Sequence, residues 1–171
     1  MTLLTDSSLV PKMAAALLTE STRLIMADRK SILLIEDHDI VRRYYAERLR
    51  QLLCDDVIVE ATTGQTALDL FQWQTIDCIV LDLSLPDMSG FEVLAKLIPI
   101  AGQPRVPVVV LTAIDNGPLL QAAESKGAYV ALQKELTSAD ELVTHVRKAM
   151  AAIPVKRPST ISPTSLSPST R

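Results

Sequence analysis

From residue 31 onward, apolar residues in this 171-residue chain fall into two alternating rhythms. Short, nearly continuous apolar runs alternate with longer stretches whose apolar positions return every three or four residues. The first kind fits strands buried on both faces, the second amphipathic helices. Strands are predicted over Ser31–Ile35, Asp56–Ala61, Cys78–Leu81, Val106–Leu111 and Ala128–Gln133. Helices are predicted over Asp39–Leu53, from Thr63-Gly64 to about Phe71 or Trp73, and over Ser89–Ile98, Pro118–Lys126 and Ala139–Met150. Ile40, Val41, Tyr44, Tyr45 and Leu49 mark the apolar stripe of the first helix; Leu142, Val143, Val146 and Met150 mark that of the last. Asp39 suits a helix cap, Pro99 lies beyond the third helix, and Gly127 terminates the fourth. Strict alternation of strand and helix predicts an α/β fold: a parallel sheet covered by helices on both faces, with right-handed crossovers.

The two ends read differently. Residues 1–29 precede the first strand. They carry the apolar run Met13-Ala-Ala-Ala-Leu-Leu without the charged start or the apolar length of a signal peptide. A helix over 11–27 is one expectation, a weakly ordered arm another, and Met26 is an alternative start. Residues 30–153 form the expected domain. After Ile153 the Ser/Thr/Pro-rich stretch 154–171 lacks the apolar content to fold and reads as a disordered tail.

Composition narrows the function classes. Apolar residues make up 48% of the chain, enough for a core, and the net charge is −3. An acidic balance argues against a surface built to neutralise phosphate backbone, so no direct nucleic-acid partner is expected. No apolar run approaches the ~20 residues needed to span a bilayer, so no membrane partner is expected either. Cys54 and Cys78 show no metal spacing and read as reduced core thiols, which places the protein in the cytoplasm.

Chemistry collects at the strand ends. The third strand stops at Asp82, and Pro86-Asp87-Met88-Ser89-Gly90 then form a turn-rich loop. The first strand ends at Glu36-Asp37, the fourth at Thr112 and the fifth near Lys134. In a sheet ordered 2-1-3-4-5, strands one and three meet at the topological switch point, where ligands bind. Asp37 and Asp82 then face each other with Glu36 beside them. Three converging carboxylates repel one another, and a hard divalent cation such as Mg2+ resolves the conflict while leaving open positions. Lys134 adds a point cation and Thr112 a hydroxyl. Nucleophile, charge neutralisation and donors are together what phosphoryl transfer to a carboxylate requires.

Glu36-Asp37, Leu81-Asp82-Leu83, the 86–90 loop, Leu111-Thr112-Ala113, Tyr129 and Lys134 together resemble the receiver domain of bacterial two-component response regulators, over about residues 30–150. The resemblance implies a flavodoxin-like sheet of order 2-1-3-4-5. It also implies that Asp82 accepts a phosphoryl group from a histidine kinase or phosphotransfer protein. Mg2+ would be held by Asp37, Asp82 and the backbone carbonyl of Ser84, with Glu36 acting through metal-bound water. Lys134 would pair with Asp82 or its phosphate, Thr112 would move toward the phosphate, and Tyr129 would follow by turning its ring inward. The sequence departs from the family where Glu135 follows Lys134, a place usually held by a proline.

The implied function is a phosphorylation-activated switch that signals through a changed surface of helix four, strand five and helix five. No output domain is expected after the receiver, so a stand-alone regulator acting on a downstream protein, or as a homodimer, is the favoured form. A phosphorylation-independent interaction module of the same fold is the alternative. A dedicated enzyme is not expected: phospho-aspartate hydrolases resemble a motif with a second aspartate where this chain has Ser84.

Overall fold

The structure, a computed structural model, describes residues 29–98 and 106–153. The helix expected over 11–27, Met26, Pro99 and the 154–171 stretch lie outside the described residues. Five strands, β1 (Ser31–Ile35), β2 (Val57–Ala61), β3 (Cys78–Leu81), β4 (Val108–Thr112) and β5 (Val130–Gln133), form one parallel sheet in the order β2-β1-β3-β4-β5. Between and after them run α1 (Asp39–Leu52), α2 (Gly64–Trp73), α3 (Gly90–Leu97), α4 (Gly117–Ser125) and α5 (Ala139–Ala152). The expected architecture and strand order are both present.

Strand alternation divides the interior into two cores. Leu33, Ile35, Ile79, Leu81, Val108 and Val110 pack toward α2, α3 and α4, meeting Ala67, Val93, Leu94 and Ala123. Ile32, Leu34, Cys78, Val80, Val109 and Leu111 point the other way, onto Tyr45, Ala46 and Leu49 of α1 and Leu142, Val143 and Val146 of α5. The strands β1, β3 and β4 are thus covered on both faces, which is why their sequences read as unbroken apolar runs. Each fully buried Leu, Ile or Val contributes about 1.5–3 kcal/mol of transfer free energy.

Polar side chains finish the helix starts. Thr63, Ser89, Asn116 and Ser138 accept from backbone N–H groups of α2, α3, α4 and α5. Ser89 with Glu92 and Ser138 with Glu141 form reciprocal capping boxes. At α1 the expectation fails. His38, still extended, is the cap, and its Nδ1 accepts from the Val41 N–H; Asp39 has already entered the helix and pairs with Arg42. The inward stripe of α1 is also rotated: Tyr45, Ala46 and Leu49 are buried, whereas Ile40 and Tyr44 are exposed. Gly127 closes α4 with φ at 104°, a left-handed backbone that side chains disfavour.

Gly90 is a matter of space. The loop after β3 folds back so that the Gly90 N–H donates to the Leu83 carbonyl at 3.0 Å. A Cβ there would lie 2.4 Å from Leu83 Cα and 2.7 Å from the Asp82 carbonyl oxygen, both rigid backbone atoms. Helix propensity alone favours alanine by about 1 kcal/mol, whereas overpacking costs about 1–3 kcal/mol. Gly90→Ala is therefore expected to lower the urea midpoint; a midpoint equal to or above the parent's would show that this close approach is not a constraint.

The two cysteines part company. Cys78 is buried in β3, and burial pushes its thiol up to about 12. Cys54, expected in the core, is exposed, because the chain leaves α1 at Leu53 and turns toward β2. One thiol per chain is expected to react with a disulfide reagent in native protein and two in urea. Two fast thiols without denaturant would contradict the placement of Cys78.

Candidate functional site

The site is assembled by strand pairing. β1 and β3 are neighbours, with Ile35 level with Leu81, so the residues that follow them leave the sheet side by side. The Asp82 N–H donates to the Ile35 carbonyl and the Glu36 N–H to that of Ala61, each at 3.0 Å. These bonds fix Glu36 and Asp82 at the rim with 3% and 4% exposure, while Asp37 stands exposed beside them. Carboxylate oxygens of Glu36, Asp37 and Asp82 lie within 4.8 Å of one another. An all-oxygen cluster of this density suits a hard divalent cation.

Lys134 follows β5, two strands from β3. Its N–H donates to the Thr112 carbonyl at 2.9 Å, and its side chain reaches past β4. Nζ lies 2.5 Å from both Glu36 Oε2 and Asp82 Oδ2. Burial disfavours the ammonium, but hydrogen bonds and charge attraction from Asp82 and Glu36 outweigh it and raise the lysine's pKa. Burial raises the Glu36 carboxyl above its ordinary range, with the nearby Asp82 charge adding to the effect, against the opposing pull of Lys134. Glu135, at the place usually held by a proline, lies in a turn that the Leu136 N–H closes on the Gln133 carbonyl at 3.2 Å.

The Asp82 carboxylate has a second contact. The Ser84 N–H donates to Oδ1 at 3.1 Å, and Ser84 pairs with Ser89 across the loop. Asp87 anchors the far side of this loop: its carboxylate accepts from the N–H groups of Gln65 and Gly64 at the start of α2, which hold it below the usual carboxylate range. Sequence reading treats Asp87 as a turn residue; its grip on α2 depends on contacts far apart in the chain. Thr112 is fully buried, and its Oγ1 accepts from the Ile114 N–H at 3.3 Å. As a hydroxyl it can also donate.

Tyr129 does not join the site, which corrects the expectation that it follows Thr112. Its N–H donates to the Val108 carbonyl, at the opposite end of β4 from Thr112, and the residue is 37% exposed. Thr112 is level with Gln133, so Tyr129 lies four residues away along the strand, about 13 Å. In its place Gln133, missed by sequence reading, donates to Asp115 Oδ1 at 2.6 Å and ties the β4–α4 loop to β5.

The chain and its fold are similar to known proteins. A sequence profile of the response regulator receiver domain matches residues 32–147. The chain is 30% identical over 111 residues to the transcriptional regulatory protein PdtaR of Mycobacterium tuberculosis, covering 65% of this chain and 52% of that one. It is 32% identical over 117 residues to the transcriptional regulatory protein UhpA of Salmonella typhimurium, covering 68% and 56%. The chain thus spans about half the length of these curated relatives. Its fold is similar to the crystal structure of the manganese-bound form of response regulator Rcp1, with a TM-score of 0.59 and 27% identity, covering 75% of this chain and 97% of that one. No helix among the described residues is long and apolar enough to cross a membrane. With the profile matching residues 32–147, more than half of its length, the chain belongs to the response regulator receiver domain family of two-component systems.

Proposed function

We propose that this receiver, spanning residues 30–153, is a phosphorylation-activated switch whose acceptor is Asp82. The observation that carries the reading is Lys134 Nζ bridging Asp82 and Glu36 within a cluster of three carboxylates. The donor is a phosphohistidine on a histidine kinase or phosphotransfer protein. An Asp82 carboxylate oxygen attacks phosphorus, the P–O bond forms as the P–N bond breaks, and the imidazole leaves with the electron pair. Lys134 supplies a fixed positive charge beside the acceptor, and the Thr112 hydroxyl supplies a donor at the neighbouring strand end.

Glu36, Asp37 and Asp82, with the Ser84 carbonyl, are the groups proposed to hold Mg2+. The ion would neutralise charge on the transferring phosphoryl oxygens. The manganese-bound form named for the similar Rcp1 structure supports a divalent cation in a protein of this fold. Phosphorylation adds roughly −1.5 to −2 charges and three strong acceptors. Thr112 is drawn to the new acceptors and gives up its bond to the Ile114 N–H. The 113–116 loop follows, and Gln133 passes the change to β5 through Asp115. The α4–β5–α5 surface is then read by a downstream protein or a second copy of this chain.

With acetyl phosphate and Mg2+, the parent is expected to gain one phosphoryl mass that hydroxylamine removes. Asp82→Asn or a chelator should abolish the gain; an equal gain in Asp82→Asn would place the acceptor elsewhere. Thr112→Ala should still take the phosphoryl group. With beryllium fluoride and Mg2+, its amide NMR shifts in α4 and β5 are expected to stay near those of the untreated protein. Parent-like shifts in this variant would exclude the Thr112 route.

A further inference from the structure

Arg42 reaches back from the second turn of α1 to the main chain that carries two of the three acids. Its side chain lies along the surface of the turn, with 12% side-chain exposure. Nη1 donates to the carbonyl oxygens of Glu36 at 3.1 Å and Asp37 at 3.4 Å. Nε donates to Glu60 Oε2 on the edge strand β2 at 3.2 Å, and Nη2 pairs with Asp39. The fork thus ties the β1–α1 turn to the edge strand on one side and to the helix start on the other. The His38 N–H donates to Glu36 Oε1 at 3.2 Å, so main-chain movement in this turn also moves that carboxylate. Only a planar, multi-donor group can make these contacts together; an ammonium offers a single point.

We propose that Arg42 is a positioning residue for divalent-cation binding, holding the β1–α1 turn so that the Glu36 and Asp37 carboxylates converge on Asp82. The inference rests on the cation reading above. Two effects of Arg42 on a dication have opposite signs. As a cation near the cluster it repels a second cation, so charge alone makes its removal tighten binding. As a brace it prevents the turn from having to be ordered at the moment of binding, so its removal weakens binding. Loss of a partner that orients metal ligands typically costs 10–100-fold in affinity. Four specific contacts from one guanidinium, two of them to the main chain of the turn itself, favour the brace.

The test is calorimetric titration with MgCl2, below the unfolding temperature, with circular dichroism in chelator confirming the fold. Arg42→Ala is expected to weaken Mg2+ binding about tenfold. Arg42→Lys, which keeps the charge and loses the fork, should weaken it as well. Arg48→Ala removes an equal charge from α1 at a residue that pairs with Asp140 instead of the turn, and should leave the affinity unchanged. Unchanged or tighter binding by folded Arg42→Ala would overturn the proposal. If that variant does not fold, parent-like affinity in Arg42→Lys overturns it. A parent that binds no Mg2+ removes the cation reading itself, and this inference with it.

Discussion

A lysine ammonium between two buried carboxylates is the interaction on which the rim of this sheet depends. Glu36 and Asp82 leave adjacent strands at the same level and are nearly inaccessible to water. Ionised and unpaired, they would repel each other and lose hydration. Lys134 crosses from the far side of β4 to meet both. Removing one partner from such a group generally costs about 3–5 kcal/mol, because the remaining charges stay buried. The contact is therefore structural, and under the proposed function the same ammonium also sits where a phosphoryl group would arrive.

Around that centre the loops are braced from outside the cluster. Asp87 fastens the β3–α3 loop to the start of α2, and Gly90 lets the same loop lie against the backbone of Asp82 and Leu83. Arg42 grips the β1–α1 turn, and Gln133 grips the β4–α4 loop. Each brace joins a loop at the carboxyl end of a strand to a neighbouring regular element. The cores beneath are apolar and close-packed, so loop movement at this rim has few places to go except along the braces.

Two contacts at this rim suggest how a charge added at Asp82 would reach the surface. Thr112 is buried and holds the 113–116 loop through the Ile114 N–H. Asp115 in that loop meets Gln133 on β5. The chain of contacts is local and polar and runs from Thr112 to the outer strand. The aromatic ring expected to complete this route, Tyr129, belongs to the other end of the sheet.

Strand and helix order, the two-faced burial of β1, β3 and β4, and the acids and lysine of the site were all legible in the chain. Apolar periodicity is a local property, and the site residues fall at ends of apolar runs that mark themselves. Details that rest on helix rotation or strand register were not. Ile40 and Tyr44 look as apolar as Tyr45 and Leu49, and only the docking of α1 on the sheet decides which side is covered. Tyr129 stands close to Lys134 in sequence, but parallel pairing carries it to the far end of β4. Arg42, Asp87 and Gln133 are unremarkable polar residues until folding brings carbonyls, helix N–H groups and a loop carboxylate from distant segments within hydrogen-bond reach. Periodicity is written along the chain, whereas the partner of a polar side chain is chosen by the packing of elements far apart in it.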